Sequence, residues 1–375
     1  MIQQDLLYTM ALARLTSFNS QVGITLYRAL GGGRGVWEHR HDLRDVLPDC
    51  SERLATMLAQ WDAPLARAEQ ELVFAEQHHI SVLCLDEPGY PQRLTSCADT
   101  PLVLYYMGSA DLDTQRVVSI VGTRRATPYG QDLIRHFVSD LRRCCPGVLV
   151  VSGLAYGVDI CAHRQALQEG LPTVGVLAHG LDDIYPPRHR DTAAQMVRQG
   201  GLLTEYMSHA KVDRLNFVRR NRIVAGMADA TVLVESAAHG GGLITCRIAL
   251  DYGRHVMAFP GPVGAPYSEG CNNLIRDGGA QLITSSDDFV AAMGWQSDAQ
   301  RQQARRQGIE RQLFPDLSEE ERHVVEVLGS HGDLQQNQLA VMAGIDIGRL
   351  TGLLFQLEMK GVVRAMAGGC YHLLA

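Results

Sequence analysis

The chain has 375 residues, enough for two or three domains and at least one large core, and its 46% apolar and 20% charged residues are ordinary for a folded protein. Its formal charge of −7 argues against a surface coated in nucleic acid, yet a local positive patch is all that binding needs. No apolar run reaches the length of a bilayer span, so no membrane partner is expected, and the nine cysteines show no metal-ligand spacing.

The start, "MIQQDLLYTMALARL", has no basic region before an apolar core and reads as an amphipathic helix, not a signal peptide. With cysteines that form no C-x-x-C pair, this predicts a reduced, cytoplasmic protein. Residues 1–75 read as helices with short breaks; "VGITLYRALGGG" carries apolar residues at helical spacing and then a glycine stop. The segment is loosely like a helix-hairpin-helix or SAM-type module, and a helical cap on the main domain fits it as well.

From 80 to 295 the pattern changes. Six short runs, residues 117–122, 148–153, 173–180, 201–206, 230–236 and 255–261, are apolar on both faces, as buried parallel strands are. Segments of 3.6-residue periodicity lie between them, so an α/β fold with a doubly wound, mostly parallel sheet is expected. Residues 296–316 are polar and Gln/Arg-rich and read as a linker. Over 317–375, Ser318 and Glu321 form a capping box, Asp346 can cap a third helix, and a hairpin around Gly368-Gly369 follows. Three helices and a hairpin make a winged-helix pattern.

Ligands of open parallel sheets bind beyond the carboxyl ends of the strands, so the residues there are the informative ones. Gly122, Thr123 and Arg124 follow the first run: a close backbone approach, a hydroxyl and a planar cation that fits phosphate. Thr127 as cap and Pro128 as first residue fix the start of the next helix. Ser152, Gly153 and Gly157 end the second run, and Gly240-Gly241-Gly242 follow the fifth after Glu235. Asp159 and His163, four apart, share a helical face as an acid–base pair or as loop anchors. No G-x-G-x-x-G, ribose-binding acid or Walker lysine is present, so no dinucleotide or nucleoside triphosphate cofactor is expected.

The segment "KVDRLNFVRRNR" holds Lys211, Arg214, Arg219, Arg220 and Arg222 against Asp213 alone, with Phe217 among them. Cations that track a backbone around a ring on which a base stacks are the composition of a single-strand site.

These motifs, with "GLDDIYPPRH", "GRHVMAFPG" and "SEGCNNLIRDGGAQLIT", closely resemble in order and content those of the DprA/Smf family of bacterial DNA-processing proteins, over residues 100–295. The resemblance implies an extended Rossmann-like domain that binds single-stranded DNA, forms a homodimer, protects incoming strands in natural transformation and helps load the RecA recombinase, without an enzymatic activity. It implies Gly122, Thr123 and Arg124 as the central phosphate contact, Ser152 and Gly153 lining the same pocket, and Arg214 and Phe217 on backbone and base. Arg220 and Arg222 would shape the wall, and Gly241 and Gly242 would close the site. The stretch "LITCRIALDYGRHVMAF" would carry the dimer interface.

The chain departs from the family pattern at Val218, where a proline is usual, so a less rigid loop is expected there. His239, Gly240 and Gly242 stand where a lysine and two serines are usual, which removes one cation and two hydroxyls. A rival reading makes Glu235, Asp159 and His163 a phosphoribohydrolase site, but no Glu follows the glycines of "HGGGLITCR". A third makes the winged helix a duplex reader; its third helix offers only Arg349 and Lys360 as cations, so protein contacts or weak duplex binding are expected instead.

Overall fold

The six buried runs form the middle of a nine-stranded sheet. A computed structural model describes residues 2–17, 19–48, 50–295, 317–366 and 369–374; the expected linker, 296–316, lies outside the described residues. Six helices come first, α1 (Ile2–Leu15), α2 (Ser20–Ala29), α3 (Gly33–Glu38), α4 (Leu43–Val46), α5 (Glu52–Leu58) and α6 (Asp62–Gln77). α2 ends at the expected glycines, where Gly31 and Gly32 take φ of 73° and 121°. Leu12 and Leu26 share one apolar cluster with Val103 and Leu104 of the sheet, so these helices cover its edge.

β1 (Ser81–Cys84), α7 (Gln92–Thr95) and β2 (Val103–Gly108) lead into β3 (Val117–Val121), α8 (Pro128–Cys144), β4 (Leu149–Ser152) and α9 (Val158–Gln168). Next come β5 (Thr173–Val176), α10 (Arg190–Gln199), β6 (Gly201–Thr204), α11 (Arg214–Gly226) and β7 (Ala230–Leu233). α12 (Gly241–Asp251), β8 (His255–Ala258), α13 (Glu269–Arg276), β9 (Gln281–Leu282) and α14 (Ser286–Met293) complete the layer. The strand order is β1-β2-β6-β5-β4-β3-β7-β8-β9, with β2 antiparallel to both its neighbours, β1 and β6, and every other pairing parallel.

Each expected parallel strand is present. The antiparallel edge β1–β2 and the two-residue β9 are additional to the sequence reading. Val118 and Ile120 of β3 face one apolar cluster with Phe137 and Phe289, while Val117 and Val121 face the other, the two-residue alternation of a strand buried on both sides. The chain builds β3 to β6 outward on one side, then returns to place β7 against the other side of β3. That reversal makes the end of β3 a topological switch point, where open sheets leave a crevice.

Beyond Leu317, α15 (Glu319–His331), β10 (Leu334–Gln335), α16 (Gln336–Ala343), α17 (Ile347–Met359), β11 (Val363–Met366) and β12 (Cys370–Leu373) form the expected winged helix. The Ser318–Glu321 capping box and the Asp346 cap are both formed. No single helix among the described residues is long and apolar enough to cross a membrane.

Candidate nucleic-acid interface

The loops after β3, β4 and β7 meet at the switch point, and small residues allow it. A side chain at Gly157, whose φ is +75°, would meet the Thr123 carbonyl at 2.2 Å and the Arg124 backbone at 2.5 Å. One at Gly122 would meet the Glu235 carbonyl at 2.7 Å, and one at Gly242 would meet Leu233 at 2.8 Å and Gly122 at 3.1 Å. Thr123 ties the loops together: its N–H donates to the Glu235 carbonyl at 2.7 Å and its carbonyl accepts from Val158 at 3.1 Å. Its Oγ1 accepts from the Arg125 N–H at 3.1 Å, which leaves the hydroxyl proton free to donate.

The start of α8 is already served. Thr127 caps it, accepting from Gly130 N–H, and the buried Glu235 carboxylate accepts from the Thr127 N–H at 2.8 Å and its hydroxyl at 2.5 Å. A carboxylate thus sits where the sequence pointed to phosphate. α12, by contrast, starts after Gly240 with no side-chain cap, and Gly241 is exposed. Its first amides and partial positive charge remain available to an anion.

The basic segment forms α11, capped by Asp213, whose side chain accepts from the Leu215 N–H at 2.8 Å. The expected loop at Val218 is therefore helical, and backbone hydrogen bonding, not proline, sets its rigidity. Arg214 and Phe217, three apart, share a face. The Arg124 guanidinium stands 5.4 Å from the centre of the half-buried Phe217 ring, and Tyr185, 44% exposed, packs edge-on against that ring at 5.8 Å. Tyr185 had no place in the sequence reading. Its N–H donates to Nε2 of the buried His179, whose Nδ1 donates to the Gly180 carbonyl, so the loop that carries it is held. The signal was a tyrosine ahead of Pro186-Pro187 at the end of a strand loop.

Three expected site residues prove to be engaged by the protein itself, two of them buried. Ser152 does not line a pocket: it is fully buried and its hydroxyl donates to the Ile120 carbonyl at 2.6 Å. Arg222 is paired on both arms with Glu205 at 2.8 and 2.7 Å. Arg220 is buried and donates to the carbonyls of Gly153 and Val176, in a space that exists because Gly153 has no side chain. Burial pushes Arg220 down to about 10, against the pull of Asp159. It stays charged at neutral pH beside Asp159, and Arg124 is the exposed cation of the crevice.

The acids and histidine of the rival reading are likewise occupied. Glu235 holds Thr127, as above. Asp159 faces Arg220 and accepts from the Ala155 N–H at 3.3 Å, with burial raising its pKa. His163 is buried with Nδ1 2.7 Å from the Thr173 hydroxyl. None of the three faces an open crevice. The glycine departures are packed tightly too: a side chain at Gly240 would meet Ser236 Oγ at 2.2 Å. Among the described residues no cluster of three metal-ligating side chains occurs.

Comparison with known proteins matches residues 81–294 to the family described as DNA recombination-mediator protein A, and residues 310–369 to the DprA winged helix domain. The chain is 38% identical over 282 residues to a putative DNA processing protein DprA of Mycobacterium tuberculosis, covering 75% of this chain and 71% of that one. It is 33% identical over 317 residues to protein Smf of Escherichia coli, covering 83% and 82%. Among solved structures it is similar to DprA of Streptococcus pneumoniae, with a TM-score of 0.65, 28% identity, and 76% of this chain and 97% of that chain covered. It is also similar to DprA of Helicobacter pylori, whose structure is described by its single-stranded DNA binding mode, with a TM-score of 0.52, 29% identity, and 57% and 95% covered. The chain belongs to the DNA recombination-mediator protein A family, also called DprA/Smf.

Proposed function

We propose, from that membership and from the chemistry of the sheet edge, that the chain binds single-stranded DNA across the β3, β4 and β7 loops. Acting as a homodimer, it would protect the strand and pass it to a RecA recombinase, and no chemical step is assigned to it. The observation that carries this reading is the Arg124–Phe217 pair beside the uncapped start of α12, which puts a cation, a stacking ring and free amides in one crevice. Arg124 and Thr123 would take one phosphate, Gly241 and Gly242 a second, and Arg214 the backbone beyond a base on Phe217. Gly122, Gly153, Arg220 and Arg222 would hold the shape of the wall.

A base can stack on Phe217 only when it is unpaired, so single strands are expected to bind more tightly than duplexes of equal length. Titration of labelled oligonucleotides over a range of salt tests this. Three phosphate contacts give a slope of log affinity against log salt of roughly −2, and Arg124→Ala is expected to lower its magnitude by about 0.7. Binding that ignores Arg124, or equal affinity for duplex, would overturn the assignment and make release of free base from nucleoside monophosphates the next assay.

A further inference from the structure

α11 has a second side. Behind the crevice lies a cleft of about 850 Å³ between the α1–α2 corner, α6, β2 and the segment joining β6 to α11, a size typical of ligand-holding clefts. Phe217 faces Arg124 and Tyr185 at the sheet edge, whereas Val218, Arg219 and Arg222, roughly 100–160° around the helix from it, line the cleft.

The acids that line the cleft, Glu205 and Asp99, both face Arg222, with Asp99 also accepting from the Tyr252 hydroxyl, and Glu71, beneath the cleft, holds Arg67 and Ser208. Two exposed guanidinium groups remain on opposite walls, Arg14 from α1 and Arg219 from α11. Lys211 and Arg214, also exposed, stand at the start of α11 between cleft and crevice. Among the described residues none of these four makes an ion pair. With Arg124 they form a trail of unneutralised cations in a chain of net charge −7.

We propose that the cleft takes a further segment of the same single DNA strand, which leaves the sheet edge over the start of α11 and passes between α11 and the N-terminal helices. The inference rests on the reading of the sheet edge as a single-strand site. Arg14 and Arg219 hold phosphates from the two walls, and Val218 and Met207 offer apolar surface to bases. The required turn around a helix end suits a flexible single strand and excludes a duplex, whose persistence length is about 50 nm.

The test uses the full chain and oligothymidylates of about 6 and about 16 nucleotides, the span of site sizes for single-strand domains. Both arginines are exposed, so the Arg14→Ser/Arg219→Ser double variant keeps the fold, which its thermal unfolding verifies. It is expected to bind the short oligonucleotide like the wild type. The long one should bind roughly tenfold more weakly at about 0.1 M salt, with a salt slope smaller in magnitude by about 1.4. Unchanged affinity for the long strand would overturn the cleft as part of the track while leaving the sheet-edge site standing. Equal losses at both lengths would also overturn it, because the arginines would then act on the first site. Failure of the wild type to bind either length would overturn both readings.

Discussion

Arg220 and Arg222 are two residues apart and leave α11 about 200° apart, so near-identical sequence environments end in different places. One is buried under Gly153; the other is locked to Glu205. No spacing rule discloses this, because the carbonyls and the carboxylate that claim them come from strands and loops elsewhere in the chain. Phe217 was legible for the opposite reason: an aromatic residue in a basic helical turn has no apolar stripe to join, and it remains half-exposed between Arg124 and Tyr185. Its role is separable from that of Arg124. Phe217→Ala is expected to cost about 1–3 kcal/mol for one stacked base, or roughly 5- to 150-fold in affinity. The salt slope should not change, since no phosphate contact is lost. Fluorescence anisotropy of a labelled single strand at several salt concentrations measures both quantities, and a slope that fell with the affinity would make the ring a support for Arg124 instead of a stacking surface.

Among the elements, the parallel strands were legible because burial on both faces leaves a continuous apolar run, and the ends of such runs mark the ligand-binding edge. The β1–β2 edge carried no such mark. Its pairing is antiparallel and non-local, and it is fixed by the helices that cover it, so it follows from tertiary packing more than from local pattern. Loop chemistry was half legible: the glycines pointed to the crevice, but the carboxylate of Glu235 that fills the start of α8 comes from the loop after β7, and only the fold brings it there. The glycines serve contact between loops as much as contact with a ligand. Gly157 is the sharpest case, with φ of +75° and the Thr123 carbonyl pressed against it. Gly157→Ala combines a conformation unfavourable to a side chain with a clash, and is expected to destabilise the protein by about 1–3 kcal/mol. It should also displace the Thr123–Arg124 turn, so single-strand affinity falls although no contacting side chain has changed. Denaturant unfolding and strand titration on the same variant check this; a stability loss with full affinity would show that the turn holds its shape without Gly157.

At the scale of the molecule, charge and apolar surface are distributed unevenly. Among the described residues, Arg14, Arg124, Arg214 and Arg219 stand outside any ion pair on or around α11, whereas the exposed sides of α16 and α17 show Val341, Met342, Phe355 and Met359, and Arg349 is engaged by Glu320. That surface lacks the cations of a major-groove reader and suits a protein contact, in keeping with its third-helix sequence. Beneath the crevice the buried ionisable groups have a further consequence, for stability. His163 is sealed inside, with Nε2 lacking any hydrogen-bond partner. Burial, reinforced by the charge of Arg220, pushes its pKa down from 6.5 to about 3. Burial lowers His255 in the same direction. A histidine whose folded pKa lies below its unfolded value imposes no penalty above about pH 6.5, where both states are neutral. As pH falls from there toward about 3, the unfolded chain takes up a proton that the folded chain refuses, and stability is lost. The denaturation midpoint is therefore expected to be lower at about pH 5 than at about pH 7.5. His163→Gln keeps an amide near the Thr173 hydroxyl and removes the titrating ring, so it should narrow the difference between the two midpoints. A difference as large in the variant as in the wild type would assign the acid sensitivity to other groups.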